Sequence, residues 1–166
     1  LHLRTQSGLR RLCQESFPQL LACVVDGETY PPCDFHCPLL SLPHVCQTTA
    51  STIPLPIPYL HVPPARQTQW ATRLGEHHEV RIGLVWAGGF RQEIPEAWLH
   101  DLRRSLPLAW FNSLAQIPKV AWYSLQQGKP AIQLENGEST LPLARWIEQC
   151  DDMAETAALI ANLDLR

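Results

Sequence analysis

RIGLVWAGGF, at residues 81–90, is the stretch that most clearly indicates the fold of this chain. It has the apolar pattern of a strand and ends in a glycine turn. A polar loop and the segment RRSLPL at residues 103–108 follow, then a helical pattern at 107–116 and a second apolar run, VAWYSL, at 120–125. This order predicts one βαβ unit. Open α/β sheets bind ligands at the carboxyl ends of their strands, so the loops after these two strands are the first candidates for a site.

The rest of the sequence also alternates between helical and strand patterns. A continuously apolar run at residues 20–25 suits a strand that is buried on both faces, as parallel sheets require. We predict the other elements from periodicity, prolines, glycines and caps: helices at 7–16, 64–74 and 153–162, a short third strand at 145–150, and a loop at 126–140. Gly75 is expected to end the second of these helices, and Asp151 and Asp152 to cap the last. Such alternation is typical of the α/β class.

Prolines are concentrated in one region, since nine of the fifteen lie between Tyr30 and Pro64. Proline lacks a backbone donor and keeps its predecessor out of the helical conformation, so a long helix or a central strand is excluded there. A short helix at residues 38–45 is compatible with the pattern, and residues 52–59 are expected to be extended. We interpret the region as an ordered connector that lies over the sheet and crosses between two halves.

Length, charge and hydropathy limit the function classes. The chain has 166 residues, the size of one ordinary domain of about 100–200 residues. Its net charge of −3 gives no electrostatic footprint for nucleic acid. No apolar stretch approaches the roughly 18–20 residues that a membrane span needs, and no signal-peptide pattern is present. We therefore expect a cytoplasmic protein with neither a nucleic-acid partner nor a membrane span.

Six cysteines lie at positions 13, 23, 33, 37, 46 and 150. Disulfide-built domains are short and secreted, whereas this chain is 45% hydrophobic, so we expect free and mostly buried thiols. A zinc site is the alternative for the cluster formed by Cys33, His36, Cys37, His44 and Cys46. Its spacing fits the paired ligands of structural zinc sites poorly. No metal is predicted.

Several segments resemble a known family when taken in order. These are DFHCPLLSLP at residues 34–43, GLVWAG at 83–88, RSLPL at 104–108, SLQQG at 124–128 and ETAALIANLDL at 155–165. The chain resembles, from about Gly8 to its end, the glycosyltransferase-like domain that follows tetratricopeptide repeats in many bacterial proteins. Relatives of that family are the O-linked N-acetylglucosamine transferases and the heptosyltransferase-type enzymes.

The resemblance implies a partial GT-B fold, which consists of two Rossmann-like halves. Residues 1–62 would be the end of the N-terminal half with the proline-rich connector, and residues 63–166 the start of the C-terminal, nucleotide-sugar-binding half. It further implies a UDP-sugar donor, no tightly bound cofactor, no metal, and a protein or glycan acceptor. The family's main nucleotide-binding segment follows the position of Leu165, so we expect this chain alone to be inactive. The alternatives are a non-catalytic interaction or scaffold module, and a gene fragment without independent function.

Gly88 and Gly89 follow the first strand, where a backbone without side chains can approach a phosphate closely. A plain turn is the alternative. Arg104 is suited to bidentate pairing with a phosphate. Ser105 either faces the same ligand or caps the helix that begins near Pro107.

The second strand ends in Gln126, Gln127 and Gly128, which are the remaining candidates for donor binding. Gln126 both donates and accepts hydrogen bonds, which suits a uracil edge or sugar hydroxyls. The family often has lysine in place of Gln127, and Lys129 is a nearby alternative cation.

His36 is the candidate catalytic residue, as a general base for an acceptor hydroxyl. In the alternative interpretation, Asp34 caps the short helix that follows and His36 bonds to the backbone.

Overall fold

The structure is a computed structural model that describes residues 1–54, 57–76, 78–89 and 93–165. Within these residues the chain is mixed α/β, with six α-helices and two parallel sheets, which confirms the predicted class. It divides into two compact units, Leu1–His61 and Val62–Arg166. Their assignment to the halves of a GT-B fold stays a prediction. No helix in the described ranges is long and apolar enough to span a membrane.

The first unit begins with a small βαβ arrangement. Strand β1 (His2–Thr5) pairs in parallel with β2 (Ala22–Val25), and His2 lies opposite Ala22. A 3-10 turn at Ser7–Leu9 and helix α1 (Arg10–Ser16) connect them. The helix predicted at 7–16 and the strand predicted at 20–25 are therefore confirmed in shortened form. Strand β1 was not predicted, because its four residues are short and polar at alternate positions.

The proline-rich region contains a 3-10 turn at Leu39–Ser41 and helix α2 (Leu42–Val45), in agreement with the helix predicted at 38–45. Of the run expected to be extended, residues 55 and 56 lie outside the described residues. The side chains of Phe35 and Leu40 are 93% and 94% exposed. The region therefore leaves large apolar side chains uncovered.

The second unit contains a parallel sheet. Helix α3 (Pro64–Leu74) ends at Gly75 as predicted, and β3 (Val80–Leu84), β4 (Val120–Ser124) and β5 (Leu143–Ala144) follow. Strand β4 lies between β3 and β5. On the opposite edge of β3, Leu165 forms a parallel bridge with Ile82. Across the sheet, the order is therefore β5, β4, β3 and then the segment that follows α6. In chain order, these are the third, second and first strands of this unit and then its last segment.

Three predictions for the connections of this unit are wrong. Helix α4 (Pro95–Arg103) occupies the expected polar loop. Residues 146–149 form a 3-10 turn, not a strand, and β5 lies just before them. The loop expected at 126–140 contains a 3-10 turn and helix α5 (Ile132–Glu135).

Two other connections largely follow the sequence. The helix predicted at 107–116 is present as a 3-10 helix, Leu108–Gln116. Helix α6 (Met153–Ile160) is confirmed, and the Asp152 carboxylate accepts hydrogen bonds from the backbone N–H groups of Ala154 and Glu155. The cap satisfies donors that a helix start would otherwise leave without partners.

Trp70 is at the centre of the largest core cluster of this unit. Its side chain is fully buried, and it packs with Ile147, Ala158 and Leu159. The indole Nε1–H donates to Glu155 Oε2 at 2.6 Å. Arg66 Nε lies 3.3 Å from the other oxygen of the same carboxylate. The polar atom of the buried ring is thus paired between α3 and α6, which buried tryptophans generally require.

Arg81 is a buried cation in β3. Its Nη2 donates to the Gly75 carbonyl oxygen at 2.6 Å, at the end of α3, where the helix dipole is negative. Its backbone N–H donates to Asp164 Oδ2 at 2.8 Å. Arg81 therefore joins β3 to the end of α3 and to the segment that follows α6.

Candidate functional site

Three loops meet at the carboxyl ends of β3 and β4. Residues 85–89 follow β3, residues 125–128 follow β4, and residues 104–106 follow α4. The Leu125 N–H donates to the Leu84 carbonyl oxygen at 3.0 Å, and the Leu106 N–H to that of Trp86 at 2.9 Å. An open depression of about 390 Å³ is lined by residues 85–89 and Arg104. This position corresponds to the ligand sites of open α/β sheets.

Gln126 links two of these loops. It is buried, and its Oε1 accepts hydrogen bonds from the N–H groups of Trp86 at 3.1 Å and Ala87 at 2.9 Å. Its Nε2 donates to the Gln127 carbonyl oxygen at 3.0 Å. Both ends of the carboxamide are engaged within the protein. Gln126 therefore fixes the loop that lines the depression.

Ser105 links the third loop to the first. Its Oγ accepts from the Gly88 N–H at 2.9 Å and donates to the Asp101 carbonyl oxygen. The alternative that Ser105 caps the following helix is wrong. The N-cap residue of the 3-10 helix at Leu108–Gln116 is Pro107, and no side chain bonds to the start of that helix. Since the N–H groups of residues 86–88 all donate within the protein, they do not form a free cradle for phosphate.

The structure gives a further reason for glycine at position 88. A Cβ added there would lie 2.6 Å from Asp101 Oδ1 and 2.8 Å from Arg104 Nε. Real contacts of a Cβ are longer than this, so any side chain would displace the two charged groups. Gly88 leaves space for an ion pair. Gly89 is exposed and also lines the depression.

Arg104 and Asp101 form that ion pair, with Nη2 and Oδ1 2.6 Å apart. The Asp101 side chain is fully buried, whereas 61% of the Arg104 side chain is exposed. Arg104 is thus anchored at one side and accessible at the other, as an anion-binding group requires. Sequence reasoning missed Asp101, although its spacing of three residues from Arg104 on a helix was a usable signal. Arg103 is exposed.

Gln127 and Gly128 lie at the outer side of the second loop and are exposed. The Gln127 Nε2 is 3.5 Å from Thr156 Oγ1. Gly128 has a φ of 74°, a backbone conformation that favours glycine, just before the 3-10 turn at Lys129–Ala131. Its glycine is thus explained by the turn.

His36 belongs to the first unit, and its side chain is exposed. The alternative that Asp34 caps the following helix is wrong, because Pro38 is at the cap position of the 3-10 turn at Leu39–Ser41 and no side chain caps it. The remaining seven predicted site residues belong to the second unit, where Gly88, Arg104, Ser105 and Gln126 meet around one depression. The role of His36 as a base stays a prediction.

The cysteines are all free, as predicted, but most are not buried. Cys23 is buried, Cys13 and Cys150 are partly buried, and Cys33, Cys37 and Cys46 are exposed. Within the described ranges, no group of three or more His, Cys, Asp or Glu side chains is arranged to hold a metal ion.

Cys150 is expected to react with iodoacetamide at pH 8 at least about 10-fold more slowly than the three exposed cysteines. Burial raises the pKa of the Cys150 thiol to about 11, and only the thiolate reacts. At pH 8 about 0.1% of this thiol is ionised, against roughly a quarter of an ordinary thiol of pKa about 8.5. Peptide mass spectrometry after timed labelling measures the rates. In urea Cys150 should react as fast as the others, and equal rates without urea would contradict its burial.

No family model, curated protein or solved structure matches this chain. The resemblance to a glycosyltransferase-like domain therefore stays a prediction.

Proposed function

We propose that the second unit is a Rossmann-like half that binds the phosphate groups of a UDP-linked sugar, within a glycosyltransferase-like domain of a repeat protein. The strand order carries this proposal. Rossmann sheets have the order 3-2-1-4, and their ligands lie where the order reverses, beside the carboxyl end of the first strand. The second unit has β5, β4, β3 and then Leu165 in this order, and residues 85–89 follow β3.

Arg104 supplies the positive charge for the phosphates. Its guanidinium lines the depression next to Gly88 and Gly89, and an arginine fork matches phosphate oxygens in two parallel hydrogen bonds. A fixed cation of this kind stabilises the charge that develops on a departing diphosphate without a metal ion. By the resemblance, His36 would be the base of the ancestral transfer and would remove the proton of an acceptor hydroxyl on a protein or glycan.

Arg104→Ala is expected to weaken UDP binding by about 10–100-fold, the equivalent of about 1.5–3 kcal/mol for a charged hydrogen bond. An amide NMR titration with UDP and a panel of UDP-sugars measures this affinity. In the wild type, the signals of residues 85–89 and 104–106 should shift. The matched control is Arg103→Ala, which removes the same charge from the neighbouring exposed residue and should bind as the wild type does. Indifference of the wild-type spectrum to every nucleotide at millimolar concentration would refute the proposal.

A second candidate is a non-catalytic interaction module, and the exposed apolar residues of the first unit favour it. Residues 35–61 contain no Lys, Arg, Asp or Glu, and Phe35 and Leu40 are almost fully exposed. Large exposed apolar patches mark interaction sites, and side chains of this kind would contribute to one. A folded protein whose spectrum ignores all nucleotides would favour this candidate.

A further inference from the structure

Helix α4 is unusual in what it buries. Its one buried residue among those described is Asp101, whereas Leu99 and Leu102 are exposed. A surface helix normally turns its apolar side chains inward and its charges outward. A fully buried carboxylate is costly unless it has partners, so its place on the inner face of α4 needs a specific reason.

The contacts of Asp101 supply that reason, because they converge on the loop that lines the depression. The carboxylate bonds to Arg104 at 2.6 Å, and the carbonyl oxygen accepts from Ser105. Ser105 in turn accepts from the Gly88 N–H. One residue of α4 therefore holds both the cation of the depression and, through Ser105, the backbone beside it.

Gly88 shows how closely these groups fit. Asp101 Oδ1, Arg104 Nε and Arg104 Nη2 all lie within 3.0 Å of the position that a Cβ of residue 88 would occupy. The absence of a side chain at residue 88 thus lets the guanidinium lie against the backbone of the loop. The carboxylate fixes one side of the guanidinium there, and most of the Arg104 side chain remains exposed to the depression.

We propose that Asp101 is a positioning residue for anion recognition, which orients the Arg104 guanidinium before a phosphate arrives. This inference rests on the proposed function for the identity of the ligand. The orientation of the Arg104 guanidinium by Asp101 does not depend on that identity. A free arginine loses side-chain entropy when it binds, and a pre-ordered one loses less. The carboxylate also weakens the attraction for an anion. Removal of this charge alone would strengthen anion binding, so a lower affinity of Asp101→Asn shows that orientation has the larger effect.

Asp101→Asn is the test, because it removes the charge and keeps the shape and the backbone carbonyl. The first measurement is the NMR signal of the Arg104 guanidinium N–H groups without ligand, since Nη2 is the group that bonds to Asp101. In the wild type it should be distinct and slow to exchange with water, and in the variant it should merge with the signals of exposed arginines. The second is the affinity for UDP at physiological ionic strength, which should fall by at least about five-fold.

Glu96→Gln is the matched control, since it removes the same charge from an exposed position in the first turn of α4. It should leave both the Arg104 signal and the UDP affinity unchanged. An Arg104 signal that is unaltered in Asp101→Asn, or UDP binding as tight as that of the wild type, would overturn the proposal. If even the wild type ignores UDP, the proposed function fails, and the Arg104 signal alone decides whether Asp101 orients the guanidinium.

Gly88→Ala tests the same idea if Asp101→Asn does not fold. Its methyl group would displace the ion pair without removing a charge. The Arg104 signal and the UDP affinity should change as in Asp101→Asn. Unchanged values in a folded Gly88→Ala protein would equally overturn the proposal.

Discussion

Gln126→Leu is expected to lower the free energy of unfolding by about 2–6 kcal/mol. The leucine fills a similar volume but accepts no hydrogen bonds, so the buried N–H groups of Trp86 and Ala87 lose their acceptor. Each unsatisfied buried donor costs about 1–3 kcal/mol. Urea denaturation followed by tryptophan fluorescence measures the change.

Gln127→Leu is the matched control for this variant. The same substitution at the neighbouring, exposed residue should change stability by less than about 0.5 kcal/mol. Equal stability of the two variants would mean that Gln126 does not hold the loop in solution. The loop of residues 85–89 would then lack its main link to the second strand.

Trp70→Ala is expected to cost about 3–5 kcal/mol, as removal of a large aromatic side chain from a core does. The ring is fully buried, and its loss also takes the indole donor from Glu155. A marginally stable domain loses much of its total stability at that cost. Thermal and urea unfolding monitored by circular dichroism measure the effect.

Trp110→Ala is the corresponding control, because 70% of Trp110 is exposed. It should be nearly neutral, whereas Trp70→Phe should fall between the two, since it keeps a packed ring and loses only the donor. If Trp110→Ala proved as costly as Trp70→Ala, the position of the core would be contradicted.

The sequence was sufficient to predict the elements whose hydrophobic pattern reflects their own burial. Residues 82–84 and 120–123 carry no charge because they lie in the parallel sheet. Helices α3 and α6 have their own stop and cap signals in Gly75 and Asp152. Helix α4 was missed for the opposite reason. The buried residue of this helix is a carboxylate, Asp101. A helix whose main contact is polar cannot be predicted from a stripe of buried apolar residues.

The sequence indicated which loops to compare, but not the contacts that their residues make. The rule for the carboxyl ends of strands led to Gly88 and Gln126, and the start of the helix expected near Pro107 led to Ser105. In the structure each of them bonds to, or makes space for, another part of the protein. A sequence shows that a side chain is able to donate or accept, but its partner depends on which loops meet. Asp101 was overlooked because its importance arises from contact with Gly88, thirteen residues earlier.

The hydrogen bond from the Arg81 backbone N–H to the Asp164 carboxylate has a consequence for synthesis on the ribosome. The two residues are 83 positions apart, so at about 5–20 residues per second the second is added roughly 4–17 s after the first. Until then one edge of β3 has no neighbour. Unpaired strand edges are templates for association with other chains. Slower translation would therefore lengthen the time for which this edge of β3 is exposed.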